Sequence, residues 1–210
     1  MPDPRVPLLE VRQLGCRRGR RRLFRDLSFS LSAGEALHIA GPNGSGKTTL
    51  LRMLAGLRSP DEGLVLWRGQ PAQQQAAEFR AALRFIGHQP GVKAELTPQE
   101  NLRAAAALSG SGAADPAEAL RQLGLEPQAG RLCGRLSAGQ RQRVALARLL
   151  LQPAPLWLLD EPCASLDYAA QRDFERMLGA HVRGGGAAIF TTHQSITLEQ
   201  TAVRRLELAS

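Results

Sequence analysis

The stretch Gly41-Pro42-Asn43-Gly44-Ser45-Gly46-Lys47-Thr48 constrains this chain more than any other. It spells G-x-x-x-x-G-K-T. The apolar run Ala36-Leu37-His38-Ile39-Ala40 precedes it, and Thr49-Leu50-Leu51-Arg52-Met53-Leu54 follows with apolar residues at helical spacing. A strand-turn-helix unit of this kind wraps its backbone around a polyphosphate. The glycines let N–H groups converge on the phosphates, and the positive end of the helix adds to them. Lys47 would neutralise β- and γ-phosphate oxygens, and the Thr48 hydroxyl would take a place on Mg²⁺. A chance glycine-rich turn would lack the framing strand and helix. The chain is expected to bind a nucleoside triphosphate through Gly41, Pro42, Asn43, Gly44, Ser45, Gly46, Lys47, Thr48 and Thr49.

At 210 residues the chain has the length of one domain with a proper core, and a hydrophobic content of 43% is that of a globular protein. No apolar run reaches the ~18 residues a membrane span requires, and residues 1–5 lack the apolar core of a secretion signal. Cys16, Cys133 and Cys163 are scattered and without metal spacing, so free thiols in a reducing compartment are expected. The formal charge is +8, and only Lys47 and Lys93 are lysines among 27 basic residues. Much of the excess sits in Arg12, Arg17, Arg18, Arg20, Arg21, Arg22 and Arg25. A solvated hairpin rim, attraction to an anionic membrane face, and nucleic-acid binding all fit such a cluster. Charge alone does not choose among them.

Along the chain, residues 8–14 read as a strand, 17–22 as its turn, and Leu23-Phe24 as the start of the return. Leu27, Phe29 and Leu31 alternate with serines, as in a half-buried antiparallel strand. Residues 60–63 end the helix that follows the phosphate loop, and Leu64-Val65-Leu66-Trp67 is another strand. Residues 71–84 are rich in Ala, Gln and Arg and read as a helix, with Phe85-Ile86 as a short strand. From about 92 to 135 the pattern is helical. Thr97-Pro98-Gln99-Glu100 and Asp115-Pro116-Ala117-Glu118 both open helices, with a break at 109–112. Ser137, with Gln140 three residues on, caps a helix to about Leu151. The apolar strand Leu156-Trp157-Leu158-Leu159 delivers Asp160-Glu161, a helix covers about 168–178, and the buried strand Ala187-Ala188-Ile189-Phe190 ends at Thr191-Thr192-His193. Residues 203–208 suggest an edge strand. The expected fold is α/β: a phosphate-loop NTPase core carrying an N-terminal antiparallel β element and an inserted helical lobe, as a single domain over 1–210.

Asp160, at the end of a buried strand, supplies the second protein contact that Mg²⁺ needs, directly or through water. Glu161 beside it is placed to take a proton from an attacking water. A guanine-reading N-K-x-D motif is absent. Instead Leu136-Ser137-Ala138-Gly139-Gln140 stands ahead of the acidic strand end, and Ser165-Leu166-Asp167 follows it. In this order the chain resembles, over essentially its whole length, the nucleotide-binding subunits of ATP-binding-cassette (ABC) transporters. Ala138 stands where their L-S-G-G-Q signature has glycine. The resemblance implies ATP and Mg²⁺ as cofactors, Glu161 as general base and His193 as switch histidine. It implies Gln89 as the loop residue linking Mg²⁺ to the coupling surface, with His88 as its rival. It also implies an ATP-sandwich dimer, in which Ser137, Ala138, Gly139, Gln140 and Asp167 of one copy meet nucleotide held by the other.

Within that family the chain is most similar to the ATP-binding subunits of cytochrome c maturation (haem exporter) complexes. The carriers are Gly87-His88-Gln89-Pro90-Gly91-Val92-Lys93-Ala94-Glu95-Leu96-Thr97, Leu156-Trp157-Leu158-Leu159-Asp160-Glu161-Pro162 and Thr191-Thr192-His193-Gln194. This implies an ATPase, peripheral on the cytoplasmic face of a bacterial inner membrane, that works with integral membrane subunits. Its hydrolysis would release a haem-loaded chaperone for c-type cytochrome biogenesis. No direct haem binding and no nucleic-acid partner are expected. A cassette for another substrate, multidrug or nutrient, is the alternative, and a soluble ABC protein acting on nucleic acid or ribosomes a further one. The resemblance departs at a second place: the family's adenine-stacking aromatic has no counterpart among Arg17, Arg18, Gly19 and Arg20, which leaves the adenine site unassigned.

Overall fold

The computed structural model of the chain describes residues 6–109, 114–151 and 153–208. An antiparallel sheet comes first: β1 (Leu9–Arg18), β2 (Arg21–Leu31), β4 (Glu62–Trp67) and β5 (Gln70–Pro71), in the order β2-β1-β4-β5. A parallel sheet follows: β3 (Ala36–Ala40), β6 (Leu83–Ile86), β7 (Leu156–Asp160), β8 (Ala187–Thr191) and β9 (Val203–Glu207), in the order β6-β7-β8-β3-β9. The helices are α1 (Lys47–Leu54), α2 (Ala76–Ala81), α3 (Pro98–Ser109), α4 (Pro116–Gln122), α5 (Ala138–Leu151) and α6 (Tyr168–Arg183). The α/β expectation with its antiparallel β element holds, and β9 lies at the sheet edge as expected.

The parallel sheet divides the core because side chains alternate across a strand. Leu37, Ile39, Leu156, Leu158 and Ile189 face a cluster shared with α1 and the antiparallel sheet, where Leu9, Leu31 and Trp67 are fully buried. Trp157, Leu159, Ala188 and Phe190 face the other cluster, with Val144 and Leu146 of α5, Phe174 of α6, and Leu102 and Leu120 of α3 and α4. A strand buried on both faces must be apolar throughout, and every residue of β7 and β8 is buried. The helix starts are held as the sequence indicates. Thr97 and Glu100 form a reciprocal capping pair, and the Asp115 side chain accepts from the Ala117 N–H.

Four boundaries differ from the sequence reading. The helix after the phosphate loop ends at Leu54, and Glu62 and Gly63, read as its stop, already lie in β4. The hairpin turn shrinks from 17–22 to the two residues between β1 and β2, because Arg17 pairs with Arg22 and Arg18 with Arg21. Their exposed side chains allow the ladder to run to the tip. Residues 71–84 are not one helix. Gln70 pairs with Trp67 and Pro71 with Leu66, so the helix shortens to Ala76–Ala81 and the strand after it begins at Leu83. Helix-favouring composition is a weak prior that this hairpin overrides. Finally, α6 runs on to Arg183, since Leu178 and Val182 continue its buried stripe. The expected break at 109–112 lies partly outside the described residues.

Candidate functional site

The phosphate loop joins β3 to α1. Gly46 sits at the helix N-terminus with φ 104°, and a Cβ there would stand 3.1 Å from the Phe24 ring and 3.2 Å from Leu23 Cβ. Only glycine takes that backbone against those neighbours. The contact also fixes the β1–β2 hairpin against the loop. Lys47 Nζ donates to the carbonyl oxygens of Gly41 at 2.7 Å and Pro42 at 3.2 Å. An ammonium has three N–H groups, so the loop orients the amine and leaves a donor for the cleft.

The cleft beside the loop has a volume of about 520 Å³. Asn43, Gly44, Gly46, Lys47, Thr48 and Thr49 line it, facing Asp160, Glu161, Ala164, His193 and His88, with Arg18 and Leu23 of the hairpin completing the wall. The C-terminal ends of β7 and β8 thus bring their side chains to the phosphate loop, where open parallel sheets hold ligands.

Thr191 organises the acidic pair. Its hydroxyl donates to Asp160 Oδ1 at 2.8 Å and accepts from the Glu161 N–H at 3.0 Å. Asp160 is buried, and its Oδ2 has no hydrogen-bond partner among the described residues. A buried carboxylate oxygen without a partner, on a cleft that Thr48 also lines, suits a hard cation that takes one or two protein oxygens and completes its shell with phosphate and water. That donor set fits Mg²⁺. Among the described residues no group of three or more His, Cys, Asp or Glu is placed to hold a metal alone. Glu161 has φ 53°, the left-handed region that non-glycine residues rarely take. Its Oε1 is buried without a hydrogen bond and lies 3.4 Å from His193 Nε2, close enough for an ion pair when the imidazole is charged.

Other expected site residues lie elsewhere. Ser137 and Ala138 are exposed at the start of α5, where Ser137 N–H donates to Gln140 Oε1 at 2.9 Å and Gln140 N–H to Ser137 Oγ at 3.1 Å. Neither these nor Gly139, Gln140 or Asp167 line the cleft. Gly139 packs against the loop after β7, since a Cβ on it would stand 2.4 Å from the Ser165 carbonyl oxygen. Asp167 caps α6 by accepting from the Ala170 N–H at 2.8 Å. In the 87–91 loop His88 lines the cleft and Gln89 does not.

The sequence reading missed three residues that shape the site. Thr191 was read as a strand end only, although a hydroxyl paired with Asp160 across neighbouring parallel strands follows from their register. Gln142 is buried in α5 and donates to the Pro162 carbonyl at 2.9 Å, and a glutamine on an otherwise apolar helix face was the available signal. Arg148, half-buried on the same helix, donates to the carbonyls of Pro90 and Gly91, and nothing in the sequence announced it.

The ABC transporter family model matches residues 24–164. Among curated proteins, the cytochrome c biogenesis ATP-binding export protein CcmA of Nitrosococcus oceani is 47% identical, over 100% of this chain and 96% of its own length. The protein of the same name from Dechloromonas aromatica is 46% identical, over 96% of this chain and all of its own. Among solved structures, an ATP-binding subunit of an ABC transporter superposes with TM-score 0.78 at 27% identity, over 89% of this chain and 79% of that one. A dimeric bacterial ABC transporter cassette superposes with TM-score 0.77 at 25% identity, over 89% and 88%. With the phosphate loop facing an acidic strand end and the match running from β2 to the loop after β7, this chain belongs to the ABC transporter family, as one of its ATPase domains.

Proposed function

We propose that this chain is the ATP-hydrolysing subunit of a membrane ABC complex for cytochrome c biogenesis. The observation that carries the reading is the single cleft in which Lys47 and Thr48 face Asp160, Glu161 and His193. The narrowing to cytochrome c rests on near-half identity along the full chain to proteins of that name. In this reading residues 41–49 cradle the triphosphate, and Thr48 and Asp160 hold Mg²⁺, which supplies charge neutralisation of the phosphates. Glu161 accepts a proton from the attacking water, and His193 orients the γ-phosphate end. Gln89 or His88 carries the state of the cleft to the outside surface, and His88 has the better position.

Half of the machinery would come from a second copy. The exposed Ser137 and Ala138, at a capped helix N-terminus, are suited to grip the γ-phosphate of nucleotide held across an interface. A dimeric cassette among the structural neighbours supports this reading. The whole chain then works as one cassette, with the helices of 92–135 meeting integral membrane subunits at the cytoplasmic face of the inner membrane. Among the described residues no helix is long and apolar enough to cross a membrane, which fits a peripheral subunit. Closure on ATP and reopening after hydrolysis would drive release of a haem-loaded chaperone.

Two measurements test this. Glu161→Gln should bind Mg-ATP yet hydrolyse it on the order of 10²–10⁴-fold more slowly, accumulating as a dimer. Normal turnover would remove Glu161 from the role. Deleting the gene should abolish c-type cytochromes. Their normal assembly would refute the cytochrome reading and leave the ATPase intact, as expected of a cassette for another substrate.

A further inference from the structure

We infer that Arg18 supplies the base-binding face of the nucleotide cleft, and that this face accepts purine nucleoside triphosphates without selecting adenine over guanine. The inference rests on the nucleotide site proposed above. The antiparallel sheet contributes two residues to the cleft wall, Arg18 and Leu23, and none of the lining residues is Phe, Tyr or Trp. The remaining lining residues belong to the phosphate loop, the strand ends β7 and β8 with the loop after β7, and His88.

The hairpin holds Arg18 in place. The Arg17 N–H donates to Asp61 Oδ2 at 2.7 Å, the Arg58 guanidinium donates to the Arg17 carbonyl at 2.9 Å, and Leu23 and Phe24 abut Gly46. The chain is thus tied down immediately before Arg18 and on the facing strand. The Arg18 side chain is exposed and makes no hydrogen bond or ion pair among the described residues, so its planar guanidinium is available to a ligand. A planar cation beside an apolar side chain is a surface for a π-face, and guanidinium planes stack on bases. A phosphate would draw nothing from Leu23.

Neither residue offers a side-chain acceptor. Selecting guanine takes an acceptor for its N1–H and N2 amine or a donor for its O6, and selecting adenine takes an acceptor for its N6 amine. A guanidinium stacked face-on keeps its N–H groups in its own plane, away from the base edge, and Leu23 has no polar side-chain atom. A site that does not hydrogen-bond the distinguishing group discriminates weakly. The stacking surface is larger for a purine than for a pyrimidine, so ring size is read and the exocyclic groups are not.

The test is calorimetric titration of the full chain with Mg-ATP, Mg-GTP and Mg-CTP. ATP and GTP should bind within about 3-fold of each other, with CTP weaker. Arg18→Ala should weaken both purines alike by about 5-fold, the weight of one exposed cation–π contact. Arg18→Lys keeps the charge and loses the plane, so it should recover at most part of that loss, and Arg18→Trp should restore binding. Wild-type affinity in Arg18→Lys, or a preference for ATP over GTP beyond about 30-fold, would overturn the inference. If the wild type bound no nucleotide and Lys47→Ala changed nothing, the site itself would fall. That outcome is distinguishable from loss of the base face alone.

Discussion

Replacing Thr191 by valine isolates one hydroxyl at the centre of the site. Thr191 is fully buried, and valine has nearly its shape, so no cavity opens. The Glu161 N–H keeps a second acceptor, the Thr191 carbonyl at 3.2 Å. The loss therefore falls on Asp160. Its Oδ1 gives up the bond of 2.8 Å, and Oδ2 has none among the described residues. A hydrogen bond to a charged group is worth about 1.5–3 kcal/mol. In a chain of this size each kcal/mol moves Tm by about 2–4 °C, so a fall of about 3–12 °C is expected. Thr191→Ser keeps the hydroxyl and removes a methyl, for about 1 kcal/mol. Thermal unfolding should thus rank wild type above serine and serine above valine. Saturating Mg-ATP should narrow the valine deficit, because the metal gives the carboxylate a new partner. A valine variant within about 1 °C of wild type, less than the smallest shift a lost charged hydrogen bond allows, or one more stable than serine, would refute the reasoning.

Arg148 is a half-buried cation, its pKa pulled down by desolvation, and it forms no ion pair among the described residues. Arg148→Met should leave stability within about 1 kcal/mol, since relief of desolvation offsets the lost bonds. ATPase turnover should fall several-fold as the 87–91 loop loosens, and comparing Tm with kcat checks this. Gly139→Val must push the Ser165 carbonyl aside and should cost about 1–3 kcal/mol, read by denaturant unfolding. His181 stacks on Trp157 with centroids 3.8 Å apart, and burial holds its pKa below the ordinary 6.5. The unfolded chain therefore binds the proton more readily. Stability is complete above pH 6.5 and falls as the pH drops below it, with His38 adding to the slope in the same sense. His181→Phe should flatten the Tm profile on that acid side, and an unchanged slope would show that other groups set it.

The parts of the fold legible in the sequence are those where one physical rule acts alone. β7 and β8 are buried on both faces, so unbroken apolar runs marked them. The capping pairs at Thr97 and Ser137 announced their helices because each uses local side chains. The stretch at 71–84 misled because propensity and tertiary pairing disagreed there. The site was legible in its motif residues, from Lys47 and Thr48 to Asp160, Glu161 and His193. Its supports were hidden, because the Thr191 hydroxyl reaches Asp160 across 31 positions of chain and Arg148 reaches Pro90 across 58. Only register and packing bring such pairs together.

The left-handed backbone of Glu161 has a consequence for selection. A non-glycine residue held there costs on the order of 1–3 kcal/mol, which glycine would largely recover. Glu161→Gly is then a stabilising substitution that removes the proposed proton acceptor. A search for heat-resistant variants that scored folding alone would enrich it, and its best survivors would be inactive. What holds the residue in the chain is turnover, and stability pulls the other way.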